Sequence, residues 1–222
     1  MITGYSEVMR DIPGENTPEN VQVIIDEAEH LSALVNDLLD LSRVQSGARR
    51  ALPEVFDLTE TVRKTIARYD KLTHHEGYEI TFLAEENISV YADSGMILQV
   101  IYNLINNAIN YCGEDRTVLV TQTRRDSLVR ISVIDHGEGI APEQLNEIWD
   151  RYYKIDRVHR RAMVGTGLGL SIVKSILDQH GSDYGVESTP GQGSTFWFEL
   201  PVREPLCEAE QKESVIGETV EL

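Results

Sequence analysis

A chain of 222 residues, 41% hydrophobic and 26% charged, is long enough for one full domain plus a smaller element and for a sizeable core. A formal net charge of −17 excludes a general nucleic-acid binder, which needs a basic face. No apolar run approaches the ~18 residues of a membrane span. Cys112 and Cys207, far apart and without metal-ligand spacing, fit free thiols in a reducing compartment, so the expected location is cytoplasmic.

Residues 1–50 form the first region. A short stretch ends near Arg10, and a turn-rich segment from Asp11 to Thr17 leads to Pro18, which suits the first position of a long helix capped by Thr17. That helix is expected over 19–45. Its apolar residues fall on rows seven apart: Val21, Ala28 and Val35; Ile24, Leu31 and Leu38; Leu34 and Leu41. The stripe predicts a helix bundle, formed as a homodimer. Ser46-Gly47-Ala48-Arg49-Arg50 ends the helix and Pro53 confirms the break.

The second region, 54–203, reads as a two-layer α+β sandwich. Asp57 caps a helix over 58–69, and strands follow at 79–83 and 89–92. Asp93 caps a helix that runs to Tyr111. Strands at 117–123 and 128–135 form a hairpin, turning over 124–127. A loop-rich stretch over 136–167 precedes a helix to His180. A last hairpin pairs 184–188 with 194–200 across Pro190-Gly191-Gln192-Gly193. Residues 204–222 read as an acidic, mobile tail.

Three stretches carry chemistry. On the helix ending at Tyr111, Met96, Ile97, Val100, Ile101, Leu104, Ile105 and Ala108 gather on one side, and Asn103, Asn106, Asn107 and Asn110 on the other. Asparagine is a mediocre helix former. The row is either a polar surface or a set of amide oxygens suited to a hard cation such as magnesium. Asp135-His136-Gly137-Glu138-Gly139-Ile140 follows a strand directly. It is either a turn or a carboxylate placed to accept a hydrogen bond from an exocyclic amine, with glycines that let a flat ligand approach. Gly165-Thr166-Gly167-Leu168-Gly169-Leu170 runs into a helix, either as a hinge or as free backbone amides at a positive helix end, which favour phosphate. The spacing is neither a P-loop nor a dinucleotide fingerprint.

In this order, the three stretches resemble the asparagine box and the two glycine boxes of the catalytic ATP-binding domain of sensor histidine kinases, in the GHKL superfamily. Ile148-Trp149-Asp150-Arg151-Tyr152-Tyr153 is similar to the family's aromatic box, and Gly191-Gln192-Gly193-Ser194-Thr195-Phe196 to its closing strand motif. The resemblance covers 54–203 and implies ATP held between the asparagine helix and a lid. It implies magnesium on Asn107, phosphates beside Asn103, and the adenine amine on Asp135. Gly137, Gly139 and Ile140 pass close to the base. Gly165, Thr166, Gly167, Leu168, Gly169 and Leu170 lie at the phosphates, and Tyr111 and Thr195 complete the site. Tyr153, Lys154, Arg157, Arg160 and Arg161 belong to a basic lid. Many relatives carry a lysine where this chain has Asn110, so that phosphate contact is weakened or comes from elsewhere, such as the lid. The implied partner is a response regulator receiver domain.

The family's acceptor histidine stands in a motif resembling S-H-E-L-R-T-P-L. His30, His74, His75, His136, His159 and His180 all lack that context, so no phosphoacceptor is identified. Ile2-Thr3-Gly4-Tyr5-Ser6-Glu7 resembles the sequence just after it. Residues 1–50 are therefore expected to be a dimerisation and phosphotransfer hairpin entered partway down its first helix. Three functions are compatible: a histidine kinase acting on a histidine supplied by another chain, a nucleotide-binding module without transfer, or another ATPase of the superfamily. The kinase form of 165–174, the preceding bundle helix and the absence of a catalytic acid on the asparagine helix argue against the third. The family is often membrane-attached.

Overall fold

The computed structural model describes residues 1–45, 50–69, 73, 77–150 and 167–203. The expected acidic tail over 204–222 and the lid residues Tyr153, Lys154, Arg157, Arg160 and Arg161 lie outside them, as do Gly165 and Thr166.

Helix α1 (Ile2–Asp11) and helix α2 (Pro18–Gln45) form an antiparallel hairpin. Thr17 accepts a hydrogen bond from the Asn20 amide at 3.2 Å, the expected cap. Along α2 the apolar rows stay largely open: Leu31 is 55% and Val35 47% exposed, and Leu38 and Val21 are also exposed. The side chains of His30 and Leu41 lie outside the described set.

Strand β1 (Glu54–Asp57) is absent from the sequence reading. It is four residues long, mostly exposed, and has no alternation to betray it. It pairs antiparallel with β3 (Ser89–Ala92), Val55 opposite Tyr91. Asp57 then caps α3 (Leu58–Ala67) through the Glu60 amide at 2.8 Å. The helix stops two residues before Tyr69, because Arg68 and Tyr69 bond back to Thr65 and Ile66 in the tighter pattern of a helix end.

The main sheet has the order β2 (Glu79–Ala84), β4 (Thr117–Arg125), β5 (Leu128–Asp135), β7 (Gly193–Pro201), β6 (Tyr184–Thr189). Only β2 and β4 run parallel. The β4–β5 ladder reaches Arg125 opposite Leu128, so the turn is Asp126-Ser127, tighter than expected. One sheet face is dry: Val118 and Val120, Ile131 and Val133, Phe196, Phe198 and Leu200 are all buried. Helices α3, α4 (Ser94–Tyr111) and α5 (Gly169–His180) cover it, giving the expected two-layer sandwich. Two short 3₁₀ turns, Pro142–Gln144 and Glu147–Trp149, interrupt the loop after β5. Trp149 meets Tyr184 and Phe196 edge-on at 5.0 and 5.9 Å, which pins the chain just before residue 151.

No helix among the described residues is long and apolar enough to cross a membrane. Helix α2 also packs on α5, so the hairpin touches the α+β region. Asp93 fixes the junction: its carboxylate accepts from the Met96 amide at 2.9 Å as the α4 cap and from the Leu52 amide at 3.0 Å. Asp93→Ala is expected to cost about 1–2 kcal/mol, measured by urea denaturation, while Asp93→Asn keeps most of the cap.

Candidate functional site

Helix α4 is the spine of the site. Its apolar side, from Met96 to Ala108, is sealed in the core. Its polar side meets both glycine segments. At the C-terminal end the Tyr111 carbonyl lies so close to Gly137 that a β-carbon there would sit 1.8 Å from the oxygen. Eight residues earlier, the Asn103 side chain lies against Gly169, the first residue of α5. Eight residues of helix span about 12 Å, a length that suits a nucleotide laid from base to phosphates.

The asparagines do not form a uniform row. Asn106 accepts a hydrogen bond from the Tyr69 hydroxyl at 2.9 Å and serves packing between α3 and α4; burial pushes that phenol's pKa upward. Asn107 is half-buried and Asn110 exposed. The Asn103 amide nitrogen is buried and has no hydrogen-bond partner among the described residues. An orphaned donor of that kind is costly unless something supplies an acceptor, and it sits beside the amino end of α5.

Asp135 closes β5 in the middle of the sheet, opposite Val118 on one side and Ser194 on the other, and is only 3% exposed. Its carboxylate accepts from the Gly137 amide at 2.9 Å. Burial raises its pKa above the usual carboxylate value; the Gly137 and Ser194 amides oppose that shift. Cys112, just past the end of α4, is half-buried, and burial likewise raises its thiol pKa.

The loop after Asp135 is bound to the β6–β7 hairpin. Gly139 adopts a φ of 67° with the Thr189 carbonyl against it, a conformation and a contact that a side chain would disturb. Gly191 donates to the Glu138 carbonyl at 2.7 Å, and Ile140 donates to Ser188 Oγ at 2.8 Å. The glycines of this motif are therefore demanded first by neighbouring backbone. At the other end, Gly167 has a φ of 72°, Leu168 is fully buried and anchors the start of α5, and Leu170 is half-buried.

One expected site residue falls on the wrong face. Thr195 pairs with Ile134, and strand alternation turns both away from the helices. With Glu187 they contribute to a cavity of about 250 Å³ where β5 and β6 end and β7 begins, whose lining also includes Asp135, Ser188 and Ser194. The residue that shares Asp135's face is Ser194, 7% exposed. Ser194 and Ser188 were both missed. The alternation counted back from Asp135 through its β7 partner identifies Ser194 once the register is known; Ser188 carries no signal in the sequence alone. Among the described residues no cluster of three or more His, Cys, Asp or Glu is placed to hold a metal ion.

The family model for histidine kinase-, DNA gyrase B- and HSP90-like ATPases matches residues 92–204, and that for the His Kinase A phospho-acceptor domain matches residues 1–47. Sensor protein SrrB of Staphylococcus aureus is 32% identical over 205 residues, 90% of this chain and 35% of its own length. The chain thus spans about a third of that curated relative. Among solved structures, full-length ShkA in complex with AMPPNP superposes with a TM-score of 0.73 at 30% identity, over 86% of this chain and 40% of that one. Histidine kinase ThkA in complex with response regulator protein TrrA gives 0.72 at 25% identity, over 91% and 57%.

Two outcomes follow from the geometry. Because burial raises the Asp135 pKa, the folded chain holds this proton more tightly than the unfolded one. The group's contribution therefore favours the fold as pH drops through the folded pKa and weakens it above. Asp135→Asn keeps the oxygen that Gly137 needs, so its thermal midpoint at pH 7 is expected to equal or exceed the native one. The gap should close as pH falls into the carboxylate range. A lower midpoint at pH 7 contradicts the assignment. Gly137→Ala drives a methyl into the Tyr111 carbonyl and is expected to destabilise by at least ~3 kcal/mol, read from denaturant unfolding.

Proposed function

This chain belongs to the family of histidine kinase-, DNA gyrase B- and HSP90-like ATPases, and from that premise we propose that it binds ATP with magnesium and transfers the γ-phosphoryl group to a histidine carried by another chain. The phosphoryl group then passes to an aspartate of a response regulator. The observation that carries the reading is the pairing, along one helix, of a buried carboxylate at one end with an orphaned amide donor at the other.

Asp135 accepts the exocyclic amine of adenine, and water exclusion around it strengthens that bond. Gly137, Gly139 and Ile140 flank the base, and Tyr111 and Asn110 border it from α4. The amides of Gly167, Leu168 and Gly169 and the positive end of α5 receive phosphate oxygens, with Asn103 donating its unpartnered N–H to the same group. Leu170, Gly165, Thr166, Tyr153, Lys154 and Arg157 complete the phosphate and lid contacts by resemblance. Magnesium suits this donor set: Asn107 offers a neutral oxygen, and the remaining ligands are phosphate oxygens and water. When bound, the ion neutralises charge on the triphosphate. In the transfer, a bond forms between an imidazole nitrogen and the γ-phosphorus while the bond to the bridging oxygen breaks, releasing ADP. The protein's contribution is position and electrostatics.

The exposed stripe of α2 fits a second copy of the hairpin, as the phospho-acceptor family match supports. The response regulator role is supported by the ThkA–TrrA complex. The reading places the chain on the cytoplasmic side of a membrane-attached sensor. The second reading is nucleotide binding without transfer.

The test mixes this protein with ATP, magnesium and an isolated helical hairpin that carries the acceptor motif. Acid-labile phosphate on the hairpin is expected. Nucleotide binding with no transfer establishes the second reading instead.

A further inference from the structure

Ser188, on β6, bonds to three groups at once. It accepts from the Ile140 amide at 2.8 Å, donates to the Gly193 carbonyl at 2.7 Å and lies 3.0 Å from Ser194 Oγ. A hydroxyl has one hydrogen and two lone pairs. The Gly193 carbonyl can only accept, so the single hydrogen of Ser188 goes there. The amide of Ile140 can only donate, so it takes one lone pair. The contact with Ser194 is then fixed in direction: Ser194 donates and Ser188 accepts with its remaining pair. The reverse arrangement would leave two oxygens facing each other at 2.7 Å with no hydrogen between them.

This has a consequence across the strands. Ser188 and Ser194 are register partners on β6 and β7, and Ser194 is in turn the partner of Asp135 on β5. The Ser194 hydrogen is committed to Ser188, so its oxygen can only accept from a ligand. Asp135 beside it, when ionised, can only accept as well. The same three bonds tie Ile140, at the end of the loop after β5, to the turn of the β6–β7 hairpin.

We propose that Ser188 is a positioning residue for nucleobase recognition: by taking the Ser194 hydrogen and holding the Ile140 amide, it makes the base end of the site present two acceptors, the Asp135 carboxylate and Ser194 Oγ, to an exocyclic amine. The inference rests on the nucleotide reading above and adds the origin of its base selectivity. Ser188 does not touch the nucleotide. Its removal frees a hydroxyl hydrogen beside Asp135, and the base end gains a donor that a ring without an amine can use.

The experiment compares three probes by calorimetric titration in magnesium: ATP, purine riboside triphosphate, which differs from ATP only in lacking the 6-amino group, and inorganic tripolyphosphate, which has no base. The native protein is expected to prefer ATP to the analogue. In Ser188→Ala that preference narrows by about five- to tenfold, while tripolyphosphate affinity stays within about twofold of native. Ser188→Thr keeps the hydroxyl and restores the preference. Ser194→Ala narrows it as well, and adding Ser188→Ala to it changes little further, because both act through one hydrogen bond. The Ser194→Ala arm decides the matter if Ser188→Ala does not fold. An unchanged ATP-to-analogue ratio in Ser188→Ala or in Ser194→Ala overturns the proposal. So does a parallel loss of ATP and tripolyphosphate affinity in Ser188→Ala, which marks general damage. Native protein that binds none of the probes overturns the nucleotide reading together with this one. Native protein that prefers ATP while the variants keep that preference overturns this one alone.

Discussion

Asp135 is a carboxylate kept 97% out of water at the end of a central strand, with one backbone amide of its own loop bonded to it at 2.9 Å. A charge in that position is tolerated only if its surroundings supply hydrogen bonds. The neighbouring structure is arranged accordingly. Gly137 turns its amide back to the carboxylate and, to do so, presses against the Tyr111 carbonyl at a distance that excludes a side chain. The loop is then held from the other side by Gly191 and Ser188 of the β6–β7 hairpin. Remove the carboxylate's purpose and there is no reason for a loop this crowded.

Helix α4 converts that local arrangement into a site. Its apolar side is committed to the sheet, so its polar side has a fixed outlook. The Tyr111 carbonyl at one end and the Asn103 side chain near the other set the distance between the carboxylate and the start of α5. Helix α5 begins at Gly169, two residues after Gly167, and packs against α2. The hairpin and the glycine segment therefore share one helix, and the exposed apolar rows of α2 lie within the same packed unit.

Much of this was legible in the sequence, and the parts that were not have identifiable reasons. The core of α4 could be read because seven apolar residues at helical spacing leave no other arrangement. The capping aspartates Asp57 and Asp93, and the strands β4, β5 and β7, were legible through the same periodicities. Strand β1 was not, because four mostly exposed residues have no period to detect and are held only by pairing with β3. Asn106 falls in the same polar row as Asn103 and Asn107, but its oxygen is taken by Tyr69, a residue 37 positions away whose approach depends on how α3 packs. The resemblance points to Thr195 and leaves out Ser194, because a motif names a stretch and not a face. Only the register, with Asp135 opposite Ser194, decides which side chain turns toward the helices. Contacts between segments distant in sequence are what single-sequence reading lacks.

The central claim is that Asp135 and Asn103 mark the two ends of one ATP site. Calorimetric titration of magnesium-ATP into native protein, Asp135→Asn and Asn103→Ala tests it most directly, with the folded state of each variant checked by its thermal midpoint. The account predicts that native protein binds and that each variant, still folded, loses at least about tenfold in affinity. Folded variants that both bind magnesium-ATP as tightly as native protein contradict it.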